Sequence, residues 1–165
     1  MATLAAEEPD AVKSKACYAD ESPLTVLVVG YPKSGNTWTS RLVAEALGCP
    51  VGGFWQKSSL GWDAVGLERN SPHVVFKSHH PADQVLVPMA GHKVLHVVRD
   101  PRDVACSGAP FFPLDRFHST HPDRAYVDGH EAMVCALVEG AAGYSLPAWF
   151  AYNQGFVDRD VHQIR

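Results

Sequence analysis

The chain has 165 residues, of which 46% are hydrophobic and 19% charged. This is one domain's worth of ordinary globular sequence, long enough to bury a core without a disulfide or metal staple. Its 18 acidic residues against 14 Lys and Arg give a formal charge of −4, which excludes an overall basic field for nucleic acid. No apolar run approaches the roughly 18 residues of a membrane span, and the opening residues lack the basic-then-apolar pattern of a secretory signal.

Residues 1–22 are small, charged and aperiodic, and predict a flexible arm ahead of a domain over 23–165. Leu24-Thr-Val-Leu-Val-Val29 is a continuous β-branched run ended by Gly30, the pattern of a strand buried on both faces. Trp38, Leu42, Val43, Ala46 and Leu47 recur at helical spacing, so a helix is predicted over 37–47, stopped by Gly48. Residues 48–72, rich in Gly, Ser, Pro and Trp, predict a long surface loop holding a short helix.

Further strands are predicted at 73–77 and 93–98, with a short helix or turn at 85–88 between them. Pro101 suits a first helical turn and Asp100 its N-cap, so a helix is predicted to about Ser107. The Pro- and aromatic-rich stretch 109–128 predicts a loop, 129–138 a helix and 145–153 a short one. Residues 160–165 read as a strand just beginning. Strands alternating with helices predict an α/β fold, three layers (α/β/α) around a central parallel sheet. A sheet of this class rarely stops on a strand with no helix to cover it. The expectation is therefore an N-terminal part of a longer domain.

Gly30-Tyr-Pro-Lys-Ser-Gly-Asn-Thr-Trp38 lies between a buried strand and a helix, the setting of a phosphate-binding loop. Gly30, Gly35 and Thr37 match the spacing of GxxxxGK[ST], but Asn36 stands where that motif has lysine, and the cation sits inside the loop as Lys33. A P-loop kinase is therefore disfavoured, the more so as no strand carries a clear magnesium-holding Asp. Cys17, Cys49, Cys106 and Cys135 form no CxxC, which predicts reduced thiols in a cytoplasmic protein. The nine histidines show no ligand spacing of the HExxH kind, so no metal is expected.

Three segments carry a resemblance. Tyr31-Pro-Lys-Ser-Gly-Asn-Thr-Trp38 is similar to the 5′-phosphosulfate loop of the sulfotransferases, YPKSGTTW. Phe76-Lys-Ser-His-His-Pro81 resembles that family's K-[ST]-H-x-P strand end, and Lys93 to Ser107 its strand followed by R-[DN]-P-[RK]-D-V-x-x-S. All three occur in the family's order within residues 24–108. The resemblance implies a P-loop-like fold and 3′-phosphoadenosine 5′-phosphosulfate (PAPS) as cosubstrate, with no metal. Lys33, Ser34, Gly35, Asn36 and Thr37 would hold the phosphosulfate, Trp38 would stack on adenine, and Arg99 and Ser107 would grip the 3′-phosphate. His79 would be the general base and Lys77 a second cation, with His80 the rival base on the opposite side of the strand. Partners would be a small-molecule or glycan acceptor, with neither nucleic acid nor membrane involved. The family's C-terminal loop over the 3′-phosphate is not found, so an inactive remnant that binds adenosine 3′,5′-bisphosphate weakly stands as the alternative. Phe54, Trp55, Trp62, Phe111 and Phe112 either line an acceptor pocket or pack loops. Trp38 equally suits core packing, and Arg99 and Arg102 suit helix-start charges paired with Asp100 and Asp103.

Overall fold

The computed structural model describes residues 22–55, 63–89, 91–112, 114–124, 126–140 and 147–165. Residues 1–21 of the predicted N-terminal arm and Trp62 lie outside these residues. Five strands, β1 (Thr25–Gly30), β2 (Val51–Phe54), β3 (Val74–Ser78), β4 (Lys93–Val97) and β5 (His162–Ile164), form one sheet in the order β2-β3-β1-β4-β5. Every pairing is parallel. Helices α1 (Asn36–Ala46), α2 (Ala82–Val85), α3 (Pro101–Gly108), α4 (Leu114–Thr120), α5 (Gly129–Glu139) and α6 (Trp149–Gln154) connect and flank the strands.

The uninterrupted apolar run of β1 follows from its central place. Val26 and Val28 pack with Ala44 of α1, Cys49, Val51, Val75 and Val97 on one face. Leu27 and Val29 pack on the other with Val85, Val104, Met133, Leu137, Tyr152 and Phe156, from α2, α3, α5 and the α6 region. Val26 to Val29 are all buried, at roughly 1.5–3 kcal/mol each for a full aliphatic side chain. The three-layer arrangement expected from the alternating pattern is thus present. β1 leads through α1 to β2 on one side of the sheet, and β4 leads through α3 to α6 to β5 on the other. The ends of β1 and β4 therefore flank a point where the connections diverge, the place where open parallel sheets bind ligands.

Local signals behave as the sequence predicts at several ends. Gly48 (φ 60) closes α1 in a Schellman motif, with Cys49 N–H donating to Ala44 O at 2.9 Å and Gly48 N–H to Glu45 O at 3.2 Å. Asp100 caps α3, accepting from Arg102 N–H at 2.9 Å, and its carboxyl is held down to about 2 by the Arg102 guanidinium and amide. Asp128 caps α5 through His130 and Glu131 N–H at 2.8 and 2.9 Å.

Two expectations require correction. The sequence predicts a loop over 48–72, but Val51–Phe54 form the edge strand β2, in parallel register with β3. Gly52 and Gly53 erase the β signal there. Gly52 is small for a reason, because a Cβ there would lie 2.4 Å from the Phe76 ring. The stretch 109–128 is likewise not a plain loop. Helix α4 and two short 3-10 turns occupy it, with Phe117 buried against Val127 and Ala132.

His96 of β4 is fully buried and stacks on Phe156, with ring centroids 4.2 Å apart. The Asn153 amide lies near enough to pull weakly against burial, but no hydrogen bond of good geometry reaches either ring nitrogen or the Asn153 amide oxygen among the described residues. Burial pulls its pKa down from 6.5 to about 4. The unfolded chain therefore binds a proton between these values that the native state does not. Stability should fall as pH drops from 6.5 to 4, by roughly 2–3 kcal/mol. Urea unfolding at pH 7, 5 and 4 measures this, and His96→Met should flatten the slope in that window. An unchanged slope in the variant would assign the acid sensitivity to other groups.

Candidate functional site

The loop between β1 and α1 is built from two left-handed residues, Lys33 (φ 70) and Gly35 (φ 106). Ser34 N–H donates to Tyr31 O at 3.1 Å and so turns the chain. Gly35 is the N-cap of α1 and offers no side chain to the first helical amides. The helix start is thus a set of backbone donors with the positive end of the helix dipole behind them. A Cβ built on Gly35 meets nothing within 4 Å, so open space adjoins the loop at this point. The Ser34 hydroxyl is buried and has no hydrogen-bond partner among the described residues, leaving an unspent donor on the same loop.

Parallel pairing brings the next pieces in. Val29 lies opposite Ser78 in β3, and Gly30 opposite Val97 in β4. His79 and Arg99 therefore follow strands that end beside the loop. His79 Nδ1 lies 2.9 Å from Gly30 O. Gly30 O can only accept, whereas Asn36 Nδ2, 3.2 Å from the same Nδ1, can only donate. Because both Asn36 N–H groups are directed at carbonyls at 2.9 Å, the shorter contact to Gly30 O assigns the proton to Nδ1 and leaves Nε2 as the basic ring nitrogen. The Asn36 amide donates to Gly30 O and to Ser78 O, both at 2.9 Å. Both of its N–H groups are spent on these carbonyls, so its side chain ties α1 to β1 and β3 and is not aimed at a ligand. His80 turns away, with Nδ1 2.8 Å from Gln84 Oε1 of α2.

The cations sit in three different states. Lys33 Nζ rests 3.8 Å from the centre of the Phe111 ring, an exposed aromatic face. Arg99 donates through Nη1 to Lys33 O at 3.1 Å and lies 3.8 Å from the Asp103 carboxylate. Lys77 is buried, donates to Thr37 Oγ1 at 2.8 Å, and forms an ion pair with Asp63. Its Nζ also lies over the Phe54 ring, 4.5 Å from the centroid, while His79 meets that ring edge-on at 5.6 Å. Phe54 is thus shared by Lys77 and His79, whereas Trp55 packs on Phe76 and Phe112 on Phe117. Ser107 is half-buried in the last turn of α3, and Trp38 stands 74% exposed on α1.

The structure therefore brings Lys33, Ser34, Gly35, Asn36, Thr37, Lys77, His79 and Arg99 to one end of the sheet. Asp63 was missed by sequence reasoning. It lies in a Gly/Ser/Trp-rich stretch, and nothing in its immediate neighbours signals a partner fourteen residues away.

Neither a family model nor a curated protein matches the chain. Among solved structures it is similar in fold to mouse sulfotransferase SULT7A1 complexed with PAP, at 20% identity and a TM-score of 0.54. The match covers 88% of this chain and 53% of that one, so the chain spans about half of that structure's length. The fold is sulfotransferase-like.

Proposed function

We propose that this site moves a sulfuryl group from PAPS to an acceptor hydroxyl or amine. The observation that carries the reading is the pairing of a strand-to-helix phosphate loop, its cation inside the loop at Lys33, with a histidine whose basic nitrogen is set by Gly30 O. The sulfotransferase fold of the PAP-bound structure supports it.

In this reading the loop amides, Lys33 and the Ser34 hydroxyl bind the 5′-phosphosulfate. Arg99 and Ser107 hold the 3′-phosphate, and the exposed Trp38 ring takes the adenine. His79 Nε2 accepts the acceptor's proton as its oxygen forms the new bond to sulfur. The bond between sulfur and the bridging oxygen breaks, and adenosine 3′,5′-bisphosphate leaves with the electron pair. Lys33 stabilises the charge that develops on that oxygen. The transferring group is less anionic than a phosphoryl group, so positioned cations suffice for it.

Calorimetry with adenosine 3′,5′-bisphosphate and with ATP, each with and without magnesium, tests the assignment. The bisphosphate should bind more tightly, and magnesium should leave its affinity unchanged. Tighter, magnesium-dependent ATP binding would replace this reading with a P-loop kinase. Turnover is read with radiolabelled PAPS and a panel of phenols, alcohols and amines.

A further inference from the structure

We propose that Asp63 is a built-in anion on Lys77, which the anionic end of the donor must displace before Lys77 can serve it. The inference rests on the sulfotransferase reading for the identity of the donor, but its observations are independent of that reading. An ammonium has three N–H groups to place. Lys77 gives one to Thr37 Oγ1 and one to the Asp63 carboxylate, and its remaining surface faces the Phe54 ring. The side chain is 3% exposed, so no water-filled approach is left beside these three neighbours.

Thr37 lies in the first turn of α1, directly after the loop residues, so its partner Lys77 stands next to the anion-binding amides. A buried ammonium needs a counterion, and Asp63 supplies it. The same carboxylate places negative charge beside the loop and opposes any phosphate or sulfonate that enters. Asp63 is suited to exchange rather than to permanent anchoring. It is about one-third exposed, it sits at φ 62 in the left-handed region, and it belongs to no helix or strand. Lys33 differs, because among the described residues its ammonium meets the Phe111 ring face and no carboxylate, and so keeps its full charge. The loop therefore holds one cation ready and a second in reserve. The reserve cation becomes available only to a ligand anionic enough to replace Asp63.

Asp63→Asn keeps an oxygen that accepts from Lys77 and removes only the charge. Binding of adenosine 3′,5′-bisphosphate and of inorganic pyrophosphate is measured for the full chain, Asp63→Asn, Lys77→Met and the double variant. Asp63→Asn should tighten both anions by about 10- to 100-fold, the effect of removing one charge a few ångströms from a multiply charged ligand. The double variant should lose that gain. Equal or weaker binding to Asp63→Asn overturns the proposal and makes Asp63 a positioning group for Lys77. A gain for pyrophosphate with no preference for the nucleotide in any variant keeps the exchange and overturns the sulfotransferase reading instead. Failure of every variant to bind either anion overturns both. In the unmodified chain, the Asp63 carboxylate carbon resonance should shift on saturation with pyrophosphate. An unmoved resonance at saturation overturns the exchange without recourse to a variant.

Discussion

His79→Ala should lower sulfuryl transfer by about 10²–10⁴-fold, the usual cost of losing a general base, while the affinity for adenosine 3′,5′-bisphosphate stays within about threefold. The separation of the two effects follows from geometry. His79 Nδ1 meets Gly30 O and the Asn36 side-chain nitrogen, and Gly30 O keeps the Asn36 amide when the imidazole is gone. The loop backbone and its cations are therefore retained, and only the basic Nε2 is lost. His80→Ala is the control. That ring is tied to Gln84 on α2, so turnover should fall less than about threefold. A damaging His80→Ala beside a benign His79→Ala would reverse the two roles.

Gly30→Ala should lower the melting temperature by about 6–12 °C and abolish measurable nucleotide binding. A Cβ at this position would lie 2.6 Å from Val97 O and 2.6 Å from Asn36 Oδ1. The first atom is backbone of the neighbouring strand. The second belongs to a side chain pinned by two hydrogen bonds, so neither gives way cheaply. Overpacking together with one or two lost hydrogen bonds amounts to about 3 kcal/mol, or a few degrees per kcal/mol in a chain of this size. Gly48→Ala provides the comparison. Its Cβ would meet nothing within 4 Å, so only the cost of φ 60 remains, about 1 kcal/mol. Thermal melts and calorimetry of the two variants separate a steric clash at the site from left-handed strain at a helix end. Equal losses would show that the β1–β4 contact is not what excludes a side chain at Gly30.

The sheet's interior was legible because its signals are redundant. β1 carries an unbroken run of β-branched residues, and β3 and β4 each show a short apolar run bounded by turn residues. Asp100 before Pro101 announced α3 from two residues alone. β2 was not legible, since two of its four residues are glycines, Gly52 set by the Phe76 ring and Gly53 at a left-handed φ of 95, rather than residues chosen by strand propensity. α4 was hidden by the prolines around it and is held by Phe117 in a small separate core.

In the site, the loop was legible from its place between a buried strand and a helix, and His79 and Arg99 came from motif resemblance; the structure sets both beside that loop. The inward turn of Asn36 could not. Its amide answers to carbonyls of β1 and β3, and the second of these is supplied by a residue 42 positions away. Asp63 was invisible for the same kind of reason, because a counterion is chosen by proximity in the folded chain.

Arg99 has a consequence for how a nucleotide would be felt by the protein. Its guanidinium holds the carbonyl of Lys33, whose backbone stands at φ 70. A lysine in that conformation costs on the order of 1 kcal/mol, and the hydrogen bond from Arg99 helps to offset it. The group proposed to grip one end of the ligand is therefore also a strut for the loop proposed to grip the other. In the proposed reading the two phosphate sites would form one rigid ruler rather than two separate hands, so that a ligand whose anionic groups are spaced wrongly would not satisfy one without distorting the other.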